Sequence, residues 1–313
     1  MMPSSGAAPV KIPLDATPSF LPGIDVTPDG GHVYVAAEIR PDAAVIKVID
    51  TAAKKVTTTI PVGKFVRGLA ITPDGRDVYV LGLREVHVVD TTTNMLTTTI
   101  SVGGPGEGVT GIAIAPDGRN AYVIVDEAEA GTVKVIDTVT RTVTTTIAVS
   151  AFPWGIAVTP DSRRAYVSHT GDIAAMVDLT TKETTFLDDL AGEFRMAFTP
   201  DGRRAYIAPD EAHGVSVVDL TTHKVTFAAL PPGLPTDVAI TSDGRHVYVA
   251  LRSVPGAPTS GIIPIDTATN KIVGPPITWS GALRPTAIAL AGSIAYVLDF
   301  AARMVVVIPI PRI

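Results

Sequence analysis

The sequence predicts an all-β fold in which seven similar four-stranded sheets form a ring. Three observations lead to this prediction. Near-copies of the stretch TPDGRDVYV recur along the chain, tyrosines at a nearly constant spacing mark seven units, and each unit contains four short runs of apolar or β-branched residues. The marking tyrosines, 40 to 48 residues apart, are Tyr34, Tyr79, Tyr122, Tyr166, Tyr206, Tyr248 and Tyr296. Such a period is typical of arrays of one supersecondary unit and favours a seven-bladed β-propeller.

The fourth unit illustrates the four predicted strands. Its alternating or β-branched runs are GIAVT (155–159), RAYVS (164–168), IAAMVDL (173–179) and ETTFL (183–187). Short runs of this kind, separated by turn residues, indicate an antiparallel meander. The turn between the first two strands usually reads Pro-Asp-Gly: proline fixes φ, aspartate bonds to its own backbone, and glycine accepts a positive φ.

The third turn of several units begins with an aspartate. These residues are Asp50, Asp90, Asp137 and Asp266. An aspartate at the first position of a turn accepts hydrogen bonds from nearby backbone N–H groups. We therefore interpret these residues as turn caps and not as a catalytic carboxylate cluster.

The last unit is one strand short, and the N-terminal segment can supply the missing strand. Residues 9–14, PVKIPL, resemble the fourth strand VTTTIPV at 56–62. Pairing of this segment with the last unit would close the ring and leave no long open edge. The chain is thus predicted to be a single propeller domain over residues 1–313.

Composition excludes several classes of function. With a formal net charge of −6, the chain offers no basic field for nucleic acid. No apolar run approaches the roughly 18 residues of a membrane helix, and the absence of cysteine excludes disulfides and thiolate chemistry. The first 20 residues lack the pattern of a secretory signal, so a cytoplasmic location is expected.

One stretch carries a family resemblance. VYVLGLREVHVVDTTTNMLTTTISVG, residues 78–103, resembles the YVTN-type β-propeller repeat. The resemblance implies the seven-bladed fold over essentially the whole chain, but no particular function, since members include surface, periplasmic and binding propellers. The position of the asparagine in that repeat differs in every unit and reads Ala37, Gly82, Val125, His169, Pro209, Leu251 and Asp299.

A site for one asymmetric ligand is expected where equivalent positions of the units differ. In a propeller, the starts of the innermost strands meet around one mouth of the central channel, and such mouths are the default binding sites. Eleven residues before each tyrosine the units read Gly23, Gly68, Gly111, Gly155, Arg195, Asp237 and Pro285. Arg195 and Asp237 interrupt the glycines in consecutive blades. They are candidate catalytic residues, with a structural ion pair as the alternative.

The position twelve residues before each repeat tyrosine adds aromatic and cationic candidates. It reads Pro22, Arg67, Thr110, Trp154, Phe194, Thr236 and Arg284. With nearby Phe152, Trp154 and Phe194 would form an aromatic wall opposite Arg67 and Arg284. This arrangement would suit a planar or partly apolar ligand that carries a carboxylate, enolate or phosphate. The alternative is that the aromatic residues pack between blades and the arginines face solvent.

The loops after the second strands are polar and supply further candidates. His169 and His213 belong to neighbouring blades and could transfer protons near neutral pH, while Arg252 is a further ligand-binding candidate. In the catalytic hypothesis, His169 acts together with Glu193 or Asp237. GEGVTG at 106–111 precedes a strand and not a helix, so it does not indicate a dinucleotide site.

The acidic loop 126–129 lacks the register of a calcium loop, and we predict neither a metal nor a cofactor. The first functional hypothesis is a cofactor-free lyase, cyclase or isomerase that acts on a bulky small molecule at the channel mouth. The second is a non-catalytic binding module or a scaffold for a protein partner. A third is an exported surface propeller. No membrane or nucleic-acid partner is expected.

Overall fold

The computed structural model describes residues 8–19, 23–40, 43–127, 130–170, 174–187, 194–209, 214–255, 259–280 and 283–310. Within these ranges the protein has 29 β-strands and no helix. The described part of the chain accordingly contains no helix that could cross a lipid bilayer.

The strands form seven antiparallel sheets, numbered here as blades 1 to 7 in chain order. Blade 1 contains β2 (Thr17–Pro18), β3 (Ile24–Val26), β4 (His32–Arg40), β5 (Ala43–Asp50) and β6 (Lys55–Gly63). Blade 2 contains β7 (Gly68–Ile71), β8 (Asp77–Leu81), β9 (Glu85–Asp90) and β10 (Met95–Ser101). Blade 3 contains β11 (Gly108–Ile114), β12 (Asn120–Glu127), β13 (Ala130–Asp137) and β14 (Thr142–Val149).

Blade 4 contains β15 (Pro153–Val158), β16 (Arg164–His169), β17 (Ala174–Asp178) and β18 (Thr184–Leu187). Blade 5 contains β19 (Phe194–Phe198), β20 (Arg204–Pro209), β21 (Gly214–Asp219) and β22 (Val225–Ala229). Blade 6 contains β23 (Leu234–Ile240), β24 (His246–Arg252), β25 (Gly261–Asp266) and β26 (Lys271–Ile272). Blade 7 contains β27 (Pro285–Ala291), β28 (Ile294–Asp299), β29 (Met304–Pro309) and β1 (Val10–Pro13).

The innermost strands of the blades contact one another in sequence around the channel. Strand β3 contacts β7, each following innermost strand contacts the next, and β27 returns to β3. The ring is therefore closed, and the predicted seven-bladed β-propeller is confirmed. In blade 1 the innermost strand is in two pieces, because β2 and β3 both pair with β4.

The N-terminal strand closes blade 7 as the sequence predicts. Strand β1 pairs antiparallel with β29, with Val10 opposite Val307 and Pro13 opposite Met304. Ile12 and Leu14 are 2% and 0% exposed, and both belong to the apolar cluster between blades 7 and 1. The first strand of the chain thus contributes both hydrogen bonds and buried apolar surface to the last blade.

The chain reverses at two faces of the ring. The loops that lead into the innermost strands, and those between second and third strands, lie at one end of the channel, named here the loop face. The tight turns lie at the opposite end, named the turn face. On this face the Thr72 hydroxyl donates to Asp74 Oδ1 at 2.6 Å, and Gly75 has a φ of 73°. This geometry matches the predicted Pro-Asp-Gly turn.

The aspartates of the third turns are turn caps, as predicted. Asp90 Oδ1 accepts hydrogen bonds from the Thr93 backbone N–H at 2.7 Å and from the Thr93 hydroxyl at 2.8 Å. These hydrogen bonds lower the pKa of Asp90. Asp50 accepts a backbone N–H in the equivalent way, at 2.7 Å from Ala53. Asp137 and Asp266 likewise bond to the backbone N–H three residues ahead.

Candidate functional site

A cavity of about 190 Å³ lies in the central channel, bordered by the innermost strands of blades 2 to 6. Three of the residues predicted from the sequence line it, namely Arg67 from the start of blade 2, Arg195 from β19 and Asp237 from β23. Residues that break the symmetry of the repeat therefore meet in one cavity. The position of Arg195 and Asp237 is a glycine in blades 2, 3 and 4, and these glycines, Gly68, Gly111 and Gly155, also line the cavity.

The glycines allow neighbouring innermost strands to approach closely. A β-carbon at Gly111 would lie 3.2 Å from the carbonyl oxygen of Trp154 in blade 4 and 3.0 Å from a methyl carbon of Ile124. A larger residue at this position would require the neighbouring strand to move. The glycines at the starts of these strands therefore place no side chains in the cavity beside Arg67, Arg195 and Asp237.

Asp237 is a half-buried carboxyl group that links blade 6 to blade 7. Its Oδ1 accepts the N–H of Val238 at 2.9 Å, and its Oδ2 accepts the N–H of Ile288, in β27, at 2.9 Å. Burial raises the pKa of Asp237 to about 6, against the opposing attraction of Arg195 and the two hydrogen bonds. The predicted proximity of Arg195 and Asp237 is thus present as an electrostatic attraction inside the channel.

Asp25 has the same arrangement in blade 1 and was missed in the sequence. Its Oδ1 accepts the N–H of Val26 at 2.8 Å, and its Oδ2 accepts the N–H of Ile71, in blade 2, at 2.9 Å. Burial raises the pKa of Asp25 to about 6 as well. A sequence signal was present, because the residue nine positions before the tyrosine is alanine in the other six units: Ala70, Ala113, Ala157, Ala197, Ala239 and Ala287.

Arg252 and Arg284 lie together at the loop face of blades 6 and 7 and do not line the channel cavity. The Arg284 guanidinium stacks over the Phe300 ring, 5.1 Å from its centre. Burial and the neighbouring charge of Arg284 lower the pKa of Arg252. The buried Asp299 supports this corner, since it accepts the Trp279 indole N–H at 2.8 Å and the Arg284 backbone N–H at 3.2 Å.

The predicted aromatic wall is not among the residues that line the cavity. Phe152 is 56% exposed in the loop before β15, with a φ of 56°, and Trp154 is partly buried in β15. The backbone of Phe194 pairs with Pro209, while its side chain lies outside the described part of the structure. An aromatic ligand contact by these three residues remains a prediction.

Of the remaining candidates for proton transfer, one lies among the described residues and two do not. His169 ends β16 and is 2% exposed, with its backbone opposite Pro153. Glu193 and His213 lie outside the described residues. Within those residues, no group of three or more acidic or histidine side chains could hold a metal ion. The predicted proton transfer by His169 with Glu193 or Asp237 therefore remains a prediction.

The fold and the cavity define the protein as a seven-bladed β-propeller with a small cavity in its channel, lined by both charged and apolar residues. Its sequence matches no known protein family and no curated protein. Among solved structures it is similar to Kuenenia stuttgartiensis hydrazine synthase, with a TM-score of 0.77 and 20% sequence identity over 99% of both chains. At this identity the likeness shows the fold alone, and membership of the YVTN-type repeat family remains an expectation.

Proposed function

We propose that the channel cavity binds a small anionic metabolite between Arg67 and Arg195. The observation that carries this proposal is that one cavity is lined by two arginines together with a half-buried carboxyl group. Arginine is the residue best suited to bind carboxylate or phosphate oxygens. A volume of about 190 Å³ is below the roughly 300–1,000 Å³ of pockets for drug-sized ligands, so a compact ligand fits better than the bulky metabolite expected from the aromatic residues.

Asp237 makes acid–base chemistry on this ligand feasible. Because its pKa is raised to about 6, Asp237 can exchange a proton near neutral pH. In the proposed reaction, the Asp237 carboxylate removes a proton from the carbon next to a ligand carboxylate. The C–H electron pair then resides on the enolate oxygens, which Arg195 or Arg67 stabilises. When the ligand has a C=C bond beside this carbon, Asp237 returns the proton on the same face to the far carbon of the dienolate, which completes an isomerisation without a cofactor.

A non-catalytic binding platform is the second candidate, and exposed aromatic side chains at the loop face favour it. Phe65 and Phe152 are 43% and 56% exposed in the loops that lead into blades 2 and 4. Exposed aromatic residues beside a rigid channel are suited to contact a protein partner. Under this candidate, the channel arginines would have no small ligand of their own.

Replacement of both channel arginines by methionine is expected to abolish ligand binding. Removing one partner of a buried charge pair costs about 2–5 kcal/mol, which corresponds to an affinity loss of about 30- to 4,000-fold. The measurement is native mass spectrometry of the wild type and of the Arg67→Met, Arg195→Met double variant after incubation with a cell extract. The matched control replaces Arg76 and Arg119, which lie in turns on the opposite face of the ring.

The proposal is contradicted if no small molecule is retained by the wild type, or if the double variant retains it equally well. A protein that binds in place of a small molecule would support the platform. If a ligand is retained, Asp237→Asn is expected to keep it bound but to stop the exchange of its carbon-bound proton with deuterated water. Retention of this exchange in the variant would exclude Asp237 as the base.

A further inference from the structure

Neighbouring blades are fastened to each other on the turn face through the repeat tyrosines. At the junction of blades 5 and 6, the Tyr206 hydroxyl donates to Asn270 Oδ1 at 2.6 Å. The guanidinium of Arg204, two residues before this tyrosine, donates to the carbonyl oxygen of Thr267. We call this junction closed, because the hydroxyl and the guanidinium both donate hydrogen bonds to acceptors in the third turn of the next blade.

The junction of blades 4 and 5 has the same donors but different residues in the opposing turn. Arg164 and Tyr166 occupy the places of Arg204 and Tyr206, but the positions of Thr267 and Asn270 are taken by Leu220 and His223. The acceptor of Thr267 is its main-chain carbonyl oxygen, which leucine also has, whereas the amide oxygen of Asn270 has no counterpart in the histidine side chain. At this junction the sequence therefore keeps both donors, Arg164 and Tyr166, but has a histidine in place of the asparagine acceptor.

The Tyr166 hydroxyl consequently lacks an acceptor. Tyr166 is 2% exposed, and its hydroxyl, which receives a hydrogen bond from the Arg164 guanidinium, donates to no acceptor among the described residues. The charge of the nearby Arg164 guanidinium opposes the rise in the pKa of Tyr166 that burial causes. A guanidinium only donates hydrogen bonds, so Arg164 cannot accept the hydroxyl proton. A buried donor without an acceptor is unfavourable, and an acceptor on an incoming ligand would remove this penalty.

A cleft of about 570 Å³ opens at this junction. Arg163, Arg164 and Tyr166 line it on the side of blade 4, and Gly202 and Leu220 line it on the side of blade 5. The cleft lies on the turn face, at the opposite end of the ring from the loops that carry Phe65 and Phe152. Tyr166 borders both the cleft and the channel cavity, whereas Arg163 and Arg164 line only the cleft.

Three carboxylates also line the cleft, and they are held by the turns. Asp161 Oδ1 accepts the Thr159 hydroxyl at 2.6 Å and the Arg163 N–H at 3.0 Å. Asp178 and Asp201 accept local N–H and O–H groups in the same way. These carboxylates would repel a ligand that carries only negative charge. They therefore favour a ligand with one oxyanion group and with hydroxyl or amino donors elsewhere.

We propose that the cleft between blades 4 and 5 is a second ligand site, which binds the carboxylate or phosphate group of a polar metabolite. In this site Arg164 and Tyr166 donate to the oxyanion, which takes the position that the Asn270 amide oxygen occupies at the next junction. The site differs from the channel cavity in its arginines, because Arg163 and Arg164 line only the cleft, while Tyr166 borders both.

The test is isothermal titration calorimetry with inorganic phosphate and, separately, with serine, whose carboxylate is accompanied by hydroxyl and amino donors. All titrations use a parent protein that already carries Arg67→Met and Arg195→Met, so that the channel does not contribute. The parent is expected to bind at least one probe with a Kd below about 1 mM. Arg164→Met is expected to weaken this binding at least 10-fold, while the matched Arg204→Met leaves it unchanged.

A second variant, named here the closing variant, tests the same proposal by giving the blade 5 turn the residues of the blade 6 turn. Leu220→Thr combined with His223→Asn recreates the blade 6 turn opposite Tyr166, and it is expected to abolish probe binding while it raises the melting temperature. The proposal is overturned if neither probe binds the parent, if Arg164→Met and the closing variant bind as the parent does, or if Arg204→Met weakens binding as much as Arg164→Met.

Discussion

The double variant Ile12→Ala, Leu14→Ala is expected to lose most of the stability of the ring. Both side chains are almost completely buried between blades 7 and 1, and each truncation leaves a cavity in a close-packed core. Truncations of this kind cost about 2–5 kcal/mol each, against a total stability of about 5–15 kcal/mol for a typical protein. The measurement is urea denaturation followed by circular dichroism.

The matched control lies on the same strand. Lys11 points away from the core and donates through Nζ to Ser280 Oγ at 2.8 Å on the surface. Its replacement by alanine is expected to change the stability by less than about 1 kcal/mol, because exposed polar contacts contribute little. Equal effects of Lys11→Ala and of the double variant would show that closure of blade 7 does not depend on the apolar face of β1.

The stability of the ring is expected to increase as the pH falls from 7.5 to about 4.5, in contrast to proteins that depend on buried carboxylate salt bridges. Asp25 and Asp237 have a pKa of about 6 in the folded protein and ordinary values near 3.8 when unfolded. Between these values the folded state binds more protons, so its free energy of unfolding falls as the pH rises. For each carboxyl, the rise in pKa from 3.8 to about 6 corresponds to about 3 kcal/mol in the free energy of unfolding between pH values above 6 and below 3.8.

Other groups act in the opposite direction at the two ends of this window. The turn aspartates, such as Asp90, have a lowered pKa and lose their contribution as the pH falls below about 3.8. Burial lowers the pKa of His87, so its protonation below pH 6.5 also opposes folding. Maximal stability is therefore expected between about pH 4 and 5 and not at neutral pH.

The Asp25→Asn, Asp237→Asn double variant isolates the two carboxyl groups. Asparagine is close in shape to a protonated aspartate and does not titrate, so the variant should lose the increase in stability between pH 7.5 and 4.5. Asp243→Asn, in an exposed turn, should retain it. Free energies of unfolding from urea titrations at the two pH values provide the measurement. An unchanged pH dependence in the double variant would contradict the assignment to Asp25 and Asp237.

Much of the fold could be predicted because it is written in repeated residues. The tyrosine spacing and the Pro-Asp-Gly turns specify one blade, and seven copies leave little choice of architecture. The closing strand could also be predicted, since residues 9–14 resemble a fourth strand and blade 7 lacks one. These features are local, and the neighbouring blades supply the same surroundings for each copy.

The candidate site could be predicted only in part, because a site depends on contacts between blades. Comparison of equivalent positions identified Arg195 and Asp237, which do meet in the channel. The same comparison two positions further along would have identified Asp25. The role of Arg284 was harder to foresee, because its stacking on Phe300 joins two loops that the repeat pattern does not align. The cleft at Tyr166 becomes visible only when two junctions are compared in three dimensions.

The way in which β1 closes the ring also determines how the protein would respond to a pulling force. Strands β1 and β29 are antiparallel, so Val10 at the start of β1 lies opposite Val307 near the end of β29. A force that pulls Val10 and Val307 apart therefore acts at one end of the strand pair. Their hydrogen bonds would then break one after another, as in unzipping, and not all together, as in shear. A closure that contributes strongly to stability at equilibrium would therefore yield at low mechanical load.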